Sequence, residues 1–147
     1  MQSKILFQQE FKIQGGDFIN AGESSLKVRN VLKDIGIDSD IIRRVAIVAY
    51  EAEMNVVMYA KYGRIHLFVY SEKILLKVED KGQGIEDIEL AMKPGYSTAT
   101  EEMREMGFGA GMGLPNMKKN ADTFKITSQL GEGTRLEIKM LLDGKND

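Results

Sequence analysis

The decisive stretch of this 147-residue chain is GFGAGMGLP, residues 107–115, in which every second position from Gly107 to Gly113 is glycine. Repeated glycine lets backbone N–H groups crowd around an anion, because no side chain keeps the ligand away. The stretch stands immediately before a segment that is expected to be helical, and a helix N-terminus attracts negative charge. A glycine run by itself is a flexible loop about as often as a binding site. The prediction of a phosphate-binding loop therefore depends on two polar clusters upstream.

The first cluster is Glu51 and Asn55, which interrupt the otherwise apolar stretch 45–58. A spacing of four residues places both side chains on one face of a predicted helix. A carboxylate can accept a proton, and an amide oxygen can ligate magnesium without adding negative charge beside phosphates. The alternative is a solvated stripe on an amphipathic helix. Glu53 is expected to point elsewhere on that helix, into solvent.

The second cluster is DKGQG, residues 80–84, where a predicted strand ends. The carboxylate of Asp80 could accept a hydrogen bond from the exocyclic amine of adenine, and Gly82 and Gly84 would let the backbone approach the ring. An Asp-initiated turn is the alternative. Thr134 follows GEG at 131–133, and its hydroxyl could reach the same base edge or could simply favour a strand.

Composition limits the class of protein. A hydrophobic fraction of 43% and a charged fraction of 29% are typical of a soluble globular protein, and 147 residues predict one domain. The net charge of −2 argues against nucleic acid as the main partner. The absence of cysteine predicts a reducing cytoplasm, and no run approaches the ~20 apolar residues that cross a bilayer. A single histidine excludes multi-histidine metal sites.

Hydrophobic periodicity predicts a two-layer α/β sandwich, with one mixed, mostly antiparallel sheet and the helices on one face. Asp17 is expected to cap the first helix, and Gly63 is expected to end the second. The predicted strands are 4–13, 64–70, 74–79, 124–128 and 134–142, and the predicted helices are 17–35, 39 or 40–60, a short one at 87–92, and 115–121.

Four motifs carry a resemblance to a known family. They resemble the N box, the two glycine boxes and the final box of the GHKL superfamily. In chain order they are EAEMN (51–55), DKGQGI (80–85), GFGAGMGLP (107–115) and GEGT (131–134). That superfamily includes gyrase-type ATPases, heat-shock protein 90, MutL and histidine kinases, all with the Bergerat ATP-binding fold. The resemblance covers nearly the whole chain from about residue 15.

Within that superfamily the chain is similar to small bacterial serine-protein kinases, which include anti-sigma factors and the stressosome switch kinase. The DIELAM (87–92) and GYST (95–98) segments support this, and GYST together with the GLP ending of the glycine box is closer to the switch-kinase branch. EEMREM (101–106) instead resembles the lid of anti-sigma kinases. Tyr59-Ala60 stands where anti-sigma members often have histidine and glycine, which weakens the expectation of sigma-factor binding.

The resemblance implies a role for each motif. Glu51 would be the general base, Asn55 would hold Mg²⁺, Asp80 would recognise adenine, and residues from about 93 to 113 would form an ATP lid. The residues implied to bind ATP are Asn55, Asp80, Gly82, Gly84, Ile85, Ser97, Thr98, Gly107, Gly109, Ala110, Gly111, Met112, Gly113, Leu114 and Thr134.

The implied function is that of a cytoplasmic ATP-dependent serine/threonine-protein kinase. It would phosphorylate a STAS-domain anti-sigma-factor antagonist in a partner-switching pathway. The alternative is a nucleotide-gated binding module, an anti-sigma factor or phosphatase activator without significant phosphotransfer. A sigma factor or a phosphatase would be a further partner, nucleic acid and membrane would not, and a homodimer is left open. A gyrase-type hydrolase is less expected, because no transducer domain follows the motifs.

Overall fold

The computed structural model describes residues 4–105 and 112–142. In these ranges five strands form one sheet in the order β1-β2-β3-β5-β4, and all four pairings are antiparallel. The helices pack on one face of this sheet, so the predicted α/β sandwich with a mostly antiparallel sheet is confirmed. The elements are β1 (Ile5–Gln14), α1 (Glu23–Ile35), α2 (Ser39–Tyr59), β2 (Ala60–Tyr70), β3 (Lys73–Gly82), α3 (Ile88–Ala91), α4 (Glu101–Glu105), α5 (Gly113–Asn120), β4 (Thr123–Gln129) and β5 (Gly133–Leu141).

The strands bury alternate residues because successive side chains point to opposite faces of a sheet. In β2, Ile65 and Leu67 are fully buried against the helices, whereas His66 and Phe68 stack on each other on the outer face. The predicted strands are confirmed to within a few residues at each end. The largest difference is at the start of β2, which begins at Ala60 and not at the predicted residue 64.

The prediction that Gly63 ends the second helix was wrong. The chain passes from α2 directly into β2 at Ala60, whose φ of −124° and ψ of 162° are those of extended backbone. Ala60 already pairs with Gly82, and Gly63 pairs with Asp80 inside the sheet. Gly63 is needed there for close packing, since a Cβ would lie 2.8 Å from the carbonyl oxygen of Glu79.

Helix α2 is the central helix and packs against α1, α5 and the sheet. The carboxylate of Asp38 caps its N-terminus by accepting a hydrogen bond from the N–H of Asp40 at 3.2 Å. An apolar stripe along the helix faces the core, and this burial stabilises the helix more than its intrinsic propensity does. The fully buried members of the stripe are Val45, Val48, Ala49 and Val56.

The prediction that Asp17 caps the first helix was also wrong. Asp17 instead closes a turn by binding the backbone N–H of Asn20 at 3.2 Å and its side-chain amide at 2.9 Å. Helix α1 begins only at Glu23, after Gly22. Its N-terminal N–H groups are bound by a carboxylate from α2, that of Glu53.

Glu53 is 2% exposed, so the expectation that it lies in solvent was wrong. Its carboxylate accepts hydrogen bonds from the N–H groups of Gly22 (3.0 Å), Ser24 (3.2 Å) and Ser25 (2.8 Å). The negative charge lies at the positive end of the α1 dipole, which is a favourable position for an anion. This contact fixes the start of α1 to the C-terminal half of α2.

The remaining helices lie around the motifs. The predicted short helix is α3, which Asp87 caps by accepting the N–H of Leu90 at 3.0 Å. Helix α4 lies in the segment of the predicted ATP lid, where no helix was predicted, and α5 begins two residues before the predicted start at Pro115. No helix of the described ranges combines the length and the apolar composition that a bilayer span requires.

Candidate active site

A cavity of about 470 Å³ opens beside α2, at the ends of β3 and β5 and the start of α5. Its size is typical of small-molecule sites. Most of the described residues that the sequence singled out line it, although they come from motifs far apart in the chain. They are Glu51, Asn55, Asp80, Gly84, Ile85, Ser97, Thr98, Met112, Gly113, Leu114 and Thr134.

Of the five remaining predicted residues, Gly82 alone lies within the described ranges, and it is not part of that lining. Gly82 ends β3, where its N–H donates a hydrogen bond to the carbonyl of Glu132 at 3.3 Å. The other four, Gly107, Gly109, Ala110 and Gly111, lie outside the described residues.

The carboxylate of Glu51 and the amide of Asn55 meet the start of α5. A Cβ built on Gly113 would lie 3.3 Å from Oδ1 of Asn55 and 3.5 Å from Oε1 of Glu51. A side chain at this position would therefore occupy the space in front of both groups. Glycine keeps that space open for a ligand.

Asn116 holds Glu51 in place and was not predicted. Its Nδ2 donates a hydrogen bond to Oε2 of Glu51 at 3.2 Å. Among the described residues, Oε1 of Glu51 has no hydrogen-bond donor and remains available to accept a proton. The one sequence signal for Asn116 is a polar residue in the first turn of the helix that follows the glycine motif.

The N-terminus of α5 differs from those of the other described helices. Carboxylates bind the first N–H groups of α1, α2 and α3, and the hydroxyl of Thr100 accepts the N–H of Met103 in α4. At α5 the N-cap position is Met112, and no side chain of the described ranges caps it. The first N–H groups of a helix need acceptors, and an anion in the adjoining cavity would supply them.

Asp80 lies in another part of the cavity, where β3 meets β5. Its Oδ1 accepts a hydrogen bond from the N–H of Thr134 at 3.1 Å. Burial raises the pKa of Asp80, and this hydrogen bond lowers it by a smaller amount. The close approach requires Gly133, whose φ is +145° and whose Cβ would overlap the carbonyl oxygen of Asp80.

Ser128 links the groups around Asp80 and was missed by the sequence analysis. Its hydroxyl accepts the N–H of Ile85 at 2.7 Å and donates to the carbonyl of Gly133 at 3.1 Å. Its Oγ also lies 2.9 Å from Oγ1 of Thr134, and Thr134 supplies the proton because Ser128 has already given its own to Gly133. The Thr134 hydroxyl is thereby held by Ser128, while the backbone N–H of Thr134 binds Asp80. Only the alternation of β4 could have placed Ser128 on this face.

The rest of the lining is mainly apolar and suits a flat aromatic ring. Met54 and Met58 come from α2, and Ile85, Leu90 and Leu136 close other sides.

The segment of the predicted lid also borders the cavity, through Tyr96, Ser97 and Thr98. The Oγ of Ser97 accepts the N–H of Ala99 at 3.0 Å. Movement of this segment stays a prediction.

The donor set fits Mg²⁺ better than a transition metal. Within the described ranges there is no group of three or more histidine, cysteine, aspartate or glutamate side chains that could hold a metal ion. Asn55 offers an amide oxygen beside the carboxylate of Glu51, and both are hard oxygen ligands. Mg²⁺ commonly takes one or two protein oxygens and completes its shell with phosphate and water.

Comparison with known proteins gives consistent matches. The family of histidine kinase-, DNA gyrase B- and HSP90-like ATPases matches residues 38–144. The chain is 33% identical over 118 residues to the serine/threonine-protein kinase RsbT of Bacillus subtilis, covering 77% of this chain and 83% of that protein. It is 33% identical over 108 residues to the anti-sigma F factor of Caldanaerobacter subterraneus subsp. tengcongensis, covering 74% of this chain and 67% of that protein.

Proposed function

This chain belongs to the family of histidine kinase-, DNA gyrase B- and HSP90-like ATPases, and from that premise we propose that it is an ATP-dependent serine kinase. Its substrate would be a STAS-domain protein that antagonises an anti-sigma factor. The observation that carries the proposal is one cavity containing both the Asp80–Thr134 pair and the Glu51–Asn55 pair beside the uncapped start of α5. Similarity to proteins named as a serine/threonine-protein kinase and as an anti-sigma factor supports it.

Asp80 would select adenine. The N–H of Thr134 occupies Oδ1 of the carboxylate, which leaves Oδ2 to accept a hydrogen bond from the exocyclic amine of the base. Guanine carries a carbonyl oxygen at the corresponding position. This oxygen and the carboxylate oxygen of Asp80 are both acceptors, so no hydrogen bond would form between them. A buried polar group left unpaired in this way is costly, and this cost would discriminate between the two bases.

The start of α5 would hold the phosphates. Its N–H groups lack a side-chain cap, and the helix dipole favours negative charge there. Asn55 would hold Mg²⁺, which when bound neutralises charge on the phosphate oxygens. The missing side chain at Gly113 leaves room for both groups.

Glu51 would act on the serine that accepts the phosphate. As the serine oxygen forms its bond to the γ-phosphorus, the carboxylate takes the hydroxyl proton. The bond from that phosphorus to the β–γ bridging oxygen breaks, and ADP leaves with the oxygen. Asn116 would keep the carboxylate oriented through its hydrogen bond to Oε2.

A second candidate is a nucleotide-gated binding module, which the similarity to an anti-sigma F factor favours. ATP or ADP would then order the segment around residues 93–105 and change the affinity for a partner without phosphate transfer. Glu51→Gln separates the two functions. In the kinase it stops labelling, whereas in the binding module it leaves nucleotide-dependent partner binding intact and no label is transferred even by the wild type.

The direct test uses the purified chain, Mg²⁺, ATP labelled on its γ-phosphate, and candidate STAS-domain proteins. We expect label on a serine of one of these proteins. Titration calorimetry with Mg²⁺ and ATP or ADP comes first, because a chain that binds neither nucleotide cannot have either function.

Asp80→Asn is expected to weaken ATP binding at least about tenfold, since the amide presents a donor to the amine of adenine. The fold should not suffer, because Oδ1 of asparagine still accepts the N–H of Thr134. Burial raises the pKa of Asp80 in the folded chain, so ionised Asp80 lowers stability as the pH rises through that pKa. The variant removes this component and should melt at the same or a higher temperature at pH 7. Calorimetry and thermal melts check both results, and normal ATP affinity would exclude Asp80 as the base-recognition residue.

Asn116→Leu is expected to lower the rate of phosphate transfer about tenfold, because Glu51 loses the donor that orients its carboxylate. ATP affinity should stay near that of the wild type, and Asn116→Gln should restore part of the rate by supplying a similar donor. Single-turnover transfer and nucleotide titration measure the two quantities separately. Equal losses in the Leu and Gln variants would indicate a packing role instead.

A further inference from the structure

A second groove, of about 570 Å³, lies between α1 and α2 and shares Tyr50 and Glu51 with the nucleotide cavity. Its apolar floor consists of Ile42, Ala46 and Ile47 from α2. Glu51 is therefore accessible from two directions. One direction is the cavity that would hold the triphosphate, and the other is this groove.

The groove is bordered by positive charge. Arg29 and Lys33 stand one turn apart on α1, and Arg43 faces them from α2. All three residues are exposed, and none forms an ion pair with any residue in the described part of the chain. Like charges gathered in this way repel one another, and a bound anionic group would relieve the repulsion. This positive charge is a local feature of the groove, since the net charge of the whole chain is −2.

The helix period gives the groove its direction. Ser39, Arg43, Ile47 and Tyr50 follow one another at intervals of three or four residues, so they form one stripe along α2. The stripe runs from the N-terminal end of the helix to Glu51. A chain segment lying along it would bring one of its residues to the carboxylate.

We propose that this groove docks an acidic segment of the phosphate-accepting protein and delivers its serine to Glu51. The inference rests on the proposed kinase function and specifies the chemistry of its partner. Acidic side chains of the segment pair with Arg29, Lys33 and Arg43, and an apolar side chain covers the floor. Charge complementarity of this kind raises the rate of encounter and fixes the register of the bound segment.

The test compares two double charge reversals. Arg29→Glu with Arg43→Glu changes the groove, and Lys27→Glu with Lys125→Glu changes the net charge equally at exposed positions of α1 and β4 outside the groove lining. The substrate is the STAS-domain protein that the wild-type chain labels. For the groove variant we expect kcat/KM for that protein to fall at least about 30-fold at low salt, mostly through KM. The control should change less than about threefold, and both should bind ATP as the wild type does.

A compensating change in the substrate sharpens the test. Replacing acidic residues beside the acceptor serine by lysine should restore transfer by the groove variant and impair transfer by the wild type.

Equal losses in the two double variants, or a labelled substrate with no acidic residue near its serine, would overturn the inference while the kinase function stands. A groove variant that alters self-association of the chain in sedimentation, with transfer unchanged, would assign the groove to a second copy. If the wild type labels no STAS-domain protein, the proposed kinase function fails first.

Discussion

Glu51→Gln is expected to lower the rate of phosphate transfer by about 10²–10⁴-fold, because glutamine cannot accept the proton of the serine hydroxyl. The amide is nearly isosteric, and its oxygen can still accept the hydrogen bond from Asn116. ATP affinity and folding should therefore stay close to those of the wild type. The loss would fall on the chemical step alone.

Single-turnover labelling at saturating ATP and substrate measures this effect. The control is Glu86→Gln, since Glu86 also lines the cavity but lies outside the helix that carries Glu51 and Asn55. That variant should transfer phosphate at a rate within a few-fold of the wild type. A Glu51→Gln variant that keeps a comparable rate would show that another group, or water, takes the proton.

Glu53→Ala is expected to remove about 4 kcal/mol of the free energy of unfolding. The carboxylate serves three N–H groups at the start of α1, those of Gly22, Ser24 and Ser25, and its removal leaves them without this acceptor in a buried place. Each such group costs about 1–3 kcal/mol. A small domain is stable by only about 5–15 kcal/mol, so the variant should be close to unfolding at 37 °C.

Urea unfolding followed by circular dichroism measures the loss. Glu53→Gln keeps one oxygen acceptor and should lie between alanine and the wild type. Glu23→Ala is the matched control, because Glu23 is an exposed carboxylate in the first turn of the same helix and should cost no more than about 0.5–1 kcal/mol. If Glu53→Ala and Glu23→Ala unfold at similar urea concentrations, the buried cap contributes little to stability.

The fold could be predicted because its signals are local. Alternation in 64–70 and 74–79 predicts two strands from neighbouring residues, and a short polar link predicts their antiparallel pairing, which is observed. Glu53 could not be assigned, since its partners lie at a distance of 28 to 31 residues and its burial depends on where α1 packs. Asp17 was misassigned for a related reason. A residue that can cap a helix can equally close a turn with Asn20.

The residues of the candidate site that belong to sequence motifs could be predicted. Glu51, Asn55, Asp80 and Thr134 were singled out from three separate segments, and the structure brings them to one cavity. Their roles stay predictions. Residues that act through another side chain were missed, because Asn116 contacts a residue 65 positions away and Ser128 contacts one 43 positions away.

Three polar residues of α2, Glu51, Glu53 and Asn55, limit how the sequence of this helix can change. A helix turns by about 100° per residue, so Glu51 and Asn55 share one side while Glu53, between them, faces nearly the opposite way. A single inserted or deleted residue within 51–55 would rotate one set against the other. Either Glu51 and Asn55 would turn away from the cavity, or Glu53 would no longer reach the N–H groups of α1. This stretch should therefore accept no change in length.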